Sequence, residues 1–188
     1  MGRACNNASM PGTEAHIPHG DKVEERPMRG FSGKGLRIRR LADRLEAEAC
    51  ARMMAASEPW TTLGRGYEEQ LGIITDPSRE VYVAVAGGEV AGLVVVEMNG
   101  SIRGYVKSIC VAPGRRGTGI GSRLMAHAEE RILGETPNVF LCVSDFNEGA
   151  RRFYRRLGYE EVGELRDYLV AGRSEVLMRK TVGPLALY

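Results

Sequence analysis

The sequence predicts one mixed α/β domain: a central sheet, carrying a parallel strand pair, flanked by helices. Three observations predict it. Runs rich in β-branched residues alternate with stretches whose apolar residues recur at helical spacing, so strands and helices are interleaved along one chain. A glycine-rich turn, Gly114 to Gly121, joins an apolar strand to an amphipathic helix. That helix is followed by a further short apolar strand, and a strand–helix–strand passage lays its two strands parallel. At 188 residues the chain holds one domain with a full core and is too short for two of ordinary size.

Residues 1 to about 35 are rich in Gly, Pro, Asn and charge, which marks a flexible extension ahead of the domain proper at 36–188. His16 and His19 fall there as solvated side chains. Leu36 to Arg40 is a short strand. Asp43 to Ala56 carries Leu45, Ala49, Met53 and Met54 at helical spacing, and Glu58-Pro59-Trp60 breaks that helix, because a proline steers the residue before it out of the helical region. A second helix, about Gly66 to Ile74, closes at Asp76-Pro77. Val81 to Ala86 and Val90 to Met98 are strands joined at Gly87-Gly88, a hairpin signal.

Arg103 to Val111 is the next strand, and Pro113, with no N–H to donate, ends it. Ile120, Leu124, Ala128 and Ile132 then mark the buried face of a helix that runs to about Leu133. Val139 to Val143 is a short strand. Asn147 opens a helix whose Ala150, Phe153, Tyr154 and Leu157 share a face, and Gly158 stops it. Glu161 to Val170 and Ser174 to Thr181 are a last strand pair around Ala171-Gly172, giving the order β-α-α-β-β-β-α-β-α-β-β.

Composition narrows the function. A 43% hydrophobic and 27% charged chain of net charge +2 offers no electrostatic case for nucleic acid or a membrane as main partner. No apolar run approaches the ~20 residues that span a bilayer. Cys5, Cys50, Cys110 and Cys142 are widely spaced, with no C-x-x-C pair and three histidines in all, so neither a metal site nor a disulfide framework is expected. Reduced thiols in a cytoplasmic protein fit that pattern.

The glycine turn carries the chemistry. Glycine allows close backbone approach, and a helix start leaves its first N–H groups unpaired, so Gly117, Gly119 and Gly121 sit where donors can crowd round an anion. No Gly-Lys-Ser/Thr follows as in a P-loop, and the Gly-x-Gly-x-x-Gly order is absent. Val111-x-Pro113, Arg116-x-x-Gly119-x-Gly121 and Leu124 instead resemble the cofactor motif of the GNAT superfamily of acetyl-CoA-dependent N-acetyltransferases. The element order is that of the GNAT fold, so the resemblance spans about Gly35 to Thr181. It implies a mixed sheet of about seven strands with about four helices, in which the strand before the glycine turn splays from its parallel neighbour and the pantetheine arm of acetyl-CoA slots between them. By position, Ile109 N–H would face the acetyl oxygen and Val111 the pantetheine amides. The pyrophosphate would rest on the N–H groups of Gly117, Thr118, Gly119, Ile120, Gly121 and Ser122, with Arg116 nearby and no metal. A backbone donor aimed in this way is worth ~3 kcal/mol of barrier.

Asn147-x-x-Ala150-x-x-x-Tyr154-x-x-x-Gly158-Tyr159 resembles the family's second signature. Tyr154 would be the general acid that protonates the departing sulfur, a role suited to a phenol of pKa ~10, and Asn147 would hold the cofactor arm. The pattern is closest to the ribosomal-protein N-terminal acetyltransferases. That branch keeps a glutamate twelve residues before the tyrosine, where this chain has Cys142. Glu97 is a water-mediated alternative base, although a solvated strand-end carboxylate is the plainer reading. Cys142 and Cys110 read as small buried thiols.

Glu58-Pro59-Trp60, Arg166-Asp167-Tyr168 and Glu175 fall where the family gathers its acceptor, with Trp60 equally suited to plug the core. Arg151, Arg152, Arg155 and Arg156 suit either the cofactor 3′-phosphate or a solvated basic face. The expected activity is transfer of acetyl to a primary amine, a protein N-terminus or a small molecule, by direct attack on the thioester. The alternative is a non-catalytic acyl-CoA binding or sensing module, favoured by the missing glutamate and opposed by Tyr154. Many relatives dimerise through their last strands, which makes a homodimer a further expectation.

Overall fold

The computed structural model describes residues 35–187, so the expected extension over 1–35, with Cys5, His16 and His19, lies almost wholly outside the described residues. Chain entry into the domain is fixed by local chemistry. Strand β1 (Arg37–Arg40) runs into helix α1 (Arg44–Ala55), whose Asp43 cap accepts the Glu46 N–H at 2.9 Å. Glu46 reaches back to the Ala42 N–H at 2.8 Å and takes both Arg39 guanidinium nitrogens at 2.7 and 2.8 Å, tying α1 to β1. Helix α2 (Tyr67–Thr75) follows, then the hairpin of β2 (Arg79–Ala86) and β3 (Glu89–Glu97). Next come β4 (Tyr105–Val111), α3 (Ile120–Leu133), β5 (Asn138–Ser144), α4 (Glu148–Arg156), β6 (Glu160–Arg166) and β7 (Ser174–Thr181).

The seven strands form one sheet in the order β1-β2-β3-β4-β5-β7-β6. All neighbours are antiparallel except β4 and β5, as the intervening α3 demands. This is the expected mixed sheet with four α-helices. Two short 3₁₀ turns, Pro113–Arg115 and Leu185–Leu187, carry no signal that the sequence pattern distinguishes. The strand read over Glu161 to Val170 is shorter. At Asp167, whose φ of 52° is left-handed, the side chain takes the Gly172 N–H at 2.6 Å and the chain leaves the sheet. All seven β6 residues are exposed, as befits an edge.

Alternation sorts the core into two layers. Val81, Val83, Leu93, Val95 and Cys110 pack with α1 and α2 on one face. Tyr82, Ala84, Val94, Val96, Leu141, Val143, Val176 and Met178 pack with α3 and Tyr154 on the other. In β4 the alternation breaks: Val106 and, three residues later, Ile109 both belong to the α3 layer. A bulge explains it, because Val95 pairs with Ser108 and Val96 with Val106, leaving Lys107 as the extra residue. On its other edge β4 pairs with β5 at Tyr105↔Phe140 and Val106↔Leu141 and then parts from it. Gly104 sets up the closed end of that joint. Its φ is 77°, and a Cβ there would stand 2.5 Å from Ile132 Cγ2 and 2.6 Å from the Asn138 carbonyl oxygen.

Candidate active site

The parting of β4 from β5 opens a cavity of about 880 Å³ through the sheet, lined from both layers. Glu58, Trp60, Arg65 and Ile73 line it from the α1–α2 side, and the glycine turn, Asn147 and Tyr154 from the α3–α4 side. Its edge along β4 is a row of backbone donors. Ala112 N–H donates to Ala91 O at 3.0 Å, toward β3. Strand N–H groups alternate between edges, so those of Ile109 and Val111 turn toward the gap, beyond the last β5 pairing.

The turn after β4 forms the next wall. Gly117 and Gly119 have φ of 75° and 85°, a conformation costly to other residues, and a Cβ on either would meet nothing within 4 Å. The backbone surface above them is therefore open to a ligand. The unpaired N–H groups of Ile120, Gly121 and Ser122 begin the 14-residue α3 at the same point, which favours an anion. Thr118 Oγ1 closes the loop by donating to Arg115 O at 2.6 Å. A Cβ at Gly121 would touch Phe153 at 3.5 Å, so this glycine also lets α3 sit against α4.

Arg116 lines the same cavity. Its Nε donates to Val111 O and an Nη to Ser57 Oγ, both at 3.2 Å, which braces β4 against the α1–α2 connection. Asn147 caps α4 by accepting the Ala150 N–H at 3.1 Å, so its amide NH₂ is the part able to reach a ligand.

Tyr154 is 7% exposed, with ring centroids 5.3 Å from Phe153 and 5.8 Å from Tyr159. Burial alone pushes its phenol above the ordinary value, so it stays protonated at neutral pH. On the opposite layer Tyr105, Cys142, Ser144 and Glu175 line the same cavity. Burial holds the Cys142 thiol above its usual range, with Tyr105 partly offsetting it, which makes it a poor nucleophile at pH 7. Burial does the same to Cys110, and lifts Cys50 to about 12. Glu175 is 4% exposed, and Ser144 Oγ donates to it at 2.5 Å.

The other sequence candidates separate. Glu97 stands away from the cavity lining, near Arg79 at 3.7 Å, as a strand-end carboxylate. Trp60 both plugs the α1–α2 core and lines the cavity. Of the Arg166-Asp167-Tyr168 group, Tyr168 alone lines it. Arg151 and Arg155 pair with Glu161 at 3.0 and 2.6 Å and Arg152 with Glu148 at 3.0 Å, while Arg156 borders the cavity.

Residues 39–159 match the model of the Acetyltransferase (GNAT) family. The chain belongs to the GNAT acetyltransferase family. Among curated GNAT relatives, the blasticidin-S acetyltransferase of Streptomyces morookaense is 32% identical over 108 residues, 54% of this chain and 76% of that one. The N-alpha-acetyltransferase RimI of Mycobacterium tuberculosis is 28% identical over 148 residues, 74% of this chain and 89% of that one. A crystal structure of aminoglycoside 6′-N-acetyltransferase complexed with coenzyme A superposes with a TM-score of 0.64 over 78% of this chain and 97% of that one, at 20% identity, sharing the GNAT fold.

The residues present fit the coenzyme A arm of a GNAT enzyme: an open glycine loop at a helix start for the pyrophosphate, and an unpaired strand edge for the pantetheine amides. Among the described residues no group of three or more His, Cys, Asp or Glu could hold a metal ion. Sequence reasoning missed Tyr105, Lys107, Ser144 and Arg65 as cavity residues. The broken alternation around Lys107 was a usable signal for the bulge. Nothing in the chain pattern brings Arg65 to the site.

Proposed function

We propose that this protein moves the acetyl group of acetyl-CoA to a primary amine by direct attack on the thioester. The observation that carries this reading is the parted β4–β5 pair, with backbone donors on its edge and a buried, protonated Tyr154 at its α4 wall. The N–H groups of Gly117 to Ser122 hold the pyrophosphate, those of Ile109 and Val111 take the acetyl oxygen and the arm, and the Asn147 amide steadies that arm. Arg116, braced on Val111 and Ser57, stands beside that loop on the cofactor side, and the Tyr154 phenol gives its proton to the departing sulfur. Bound acetyl-CoA supplies the activated acyl group, and the chain supplies position and protons.

The acceptor is a peptide N-terminus or a small amine entering between the α1–α2 connection and the β6–β7 loop, where Glu58, Trp60 and Tyr168 line the cavity. The 28% identity to an N-alpha-acetyltransferase over most of the chain supports the first, and the 32% identity to an enzyme named for the antibiotic blasticidin S supports the second. Thiols held reduced in the cytoplasm accord with Cys50, Cys110 and Cys142, which are all unbridged.

The test is thiol release from acetyl-CoA in the presence of peptides with free N-termini, lysine peptides, amino acids, polyamines and aminoglycosides. Turnover on one class is expected. Tight acetyl-CoA binding with no release on any of them would overturn the reading in favour of an acyl-CoA binding module.

A further inference from the structure

Acetylation of an amine at neutral pH requires a proton to leave, because amines with pKa of ~8 to ~10 arrive as ammonium ions. Position 142, the place from which a carboxylate would serve in the resembling branch, holds a thiol that burial keeps protonated. Another carboxylate stands next to it. Glu175, second residue of β7, pairs with Ser144 of β5 and lies on the same sheet face as Cys142 and Tyr105. It is only 4% exposed, lines the cavity, and is held in place by the Ser144 hydroxyl at 2.5 Å. Tyr154 belongs to the α3–α4 layer, so the two groups approach the β4–β5 slot from opposite faces of the sheet.

Resting on the acetyltransferase reading above, the geometry points to Glu175 as the proton acceptor for the incoming amine, opposite Tyr154 as the acid for the leaving sulfur. The amine enters on the α1–α2 side, and its lone pair adds to a face of the thioester carbonyl, forming the C–N bond before the carbonyl re-forms and the C–S bond breaks. The electron pair of the broken C–S bond goes to the sulfur, which takes the Tyr154 proton. Of the two protons the ammonium gives up, one goes to the Glu175 carboxylate and then to solvent. The other leaves through the open cavity and restores the phenol.

The surroundings suit this work. Burial raises Glu175 above the usual carboxylate range, which strengthens it as a base. Asp145, at the end of β5, pushes the same way, while the Ser144 hydrogen bond and Arg65 from the α1–α2 connection push back. Tyr105 and Cys142 face it as neutral groups, Tyr168 borders the same space, and Lys107 lies nearest Cys142. The net result is a carboxylate shifted above its ordinary value and held by a hydroxyl that a single substitution removes.

The experiment is a pH profile of kcat/KM from about 5 to about 10 for wild type, Glu175→Gln, Glu175→Asp and Ser144→Ala. The acceptor is whichever class of the amine panel the wild type turns over, and acetyl-CoA affinity is measured alongside. Glu175→Gln keeps the shape and can still accept the Ser144 hydrogen bond. It should lose about 100-fold or more at pH 7, the range of general-base catalysis, and recover to within about threefold near pH 10, where the amine is already largely neutral. Acetyl-CoA affinity should not change, and Glu175→Asp should restore part of the rate. Ser144→Ala should move the acid limb to higher pH, because it removes the bond that lowers Glu175. A Glu175→Gln enzyme with wild-type turnover at pH 7, or with an equal loss at every pH, overturns the proposal and leaves the acetyltransferase reading standing. Absence of turnover in the wild type overturns both.

Discussion

Replacing Tyr154 by Phe separates chemistry from packing at one atom. The ring contacts with Phe153 and Tyr159, at 5.3 and 5.8 Å between centroids, remain, and no charged or hydrogen-bonding neighbour contributes to the phenol's shift. The Tyr154 hydroxyl faces the cavity and bonds to no described residue, so deleting it leaves nothing unsatisfied and stability should change by less than about 1 kcal/mol. That corresponds to a Tm shift below ~4 °C for a chain of this size. The rate should respond quite differently. A positioned acid is worth ~10² to 10⁴, and the thiol, with a pKa near ~8.5, is a leaving group that needs the lower end of that help. A kcat loss of ~10², or about 2.7 kcal/mol of barrier, is expected at saturating acetyl-CoA, with its KM nearly unchanged.

The pH sign follows from the same burial. The phenol must be protonated to act and its pKa is raised, so wild-type activity should not fall through loss of this proton below pH ~10. Thiol-release kinetics paired with thermal unfolding read both effects. A Tyr154→Phe enzyme with kcat within about twofold of wild type would refute the assignment of the acid, since even the weakest positioned acid contributes ~10².

Three further outcomes are expected. Gly119→Glu forces a side chain onto a φ of 85° and sets a carboxylate over the open turn, so coenzyme A affinity by calorimetry should fall at least tenfold, about 1.4 kcal/mol; unchanged affinity would remove the pyrophosphate from this loop. Cys142→Ser should keep turnover within about fivefold, and Cys142 should react slowly with iodoacetamide at pH 7, because its thiol is held protonated; complete loss with intact folding would indicate an acetyl-cysteine intermediate. Glu46, held by Arg39 below the usual carboxylate range, contributes stability that is present above the unfolded value near ~4.3 and is lost as pH falls through its lower folded value. Urea unfolding of Glu46→Gln between about pH 3 and 7 should show a flatter acid limb than wild type.

Much of this fold was legible because local signals agreed with one another. Helices α1, α3 and α4 lie within about a turn of their expected bounds, since Asp43 and Asn147 cap where capping residues stand and Gly119 opens α3 in a conformation open to glycine. The sequence pattern carries β6 too far, to Val170, because Leu165, Leu169 and Val170 continue an apolar run that the Asp167 turn interrupts, and a lone aspartate at positive φ is a weak cue. The insertion of β7 between β5 and β6 is a long-range pairing, and local patterning does not encode it. The glycine turn and Tyr154 could be singled out from spacing, because each sits in a motif continuous along the chain, and the fold brings both to the cavity. The bonds from Arg116 to Val111 and Ser57 could not be read that way, because those partners lie on different elements and only folding brings them together.

The slot itself follows from two nearby residues acting in opposite senses. Gly104 accepts the Phe140 N–H at 2.9 Å and lets β4 lie close to Ile132 and Asn138, which pins the parallel pair shut at its start. Further along β4, Lys107 bulges against β3 and turns the strand by one position, so the segment that leaves the bulge no longer keeps register with β5. A strand without the bulge would keep the parity of Val106, which turns the Ile109 and Val111 N–H groups toward β3 and away from the gap. A strand without the pin would lose the parallel pairing that brings Cys142, Ser144 and their neighbour Glu175 alongside it. The same parity shift turns the Ile109 and Val111 side chains into the α3 layer and Ser108 and Cys110 toward α1 and α2. The backbone donors are left in the gap, within reach of groups from both faces. Tyr154 on α4 and Glu175 on β7 line that gap from opposite sides of one sheet, which the bulge keeps open between them.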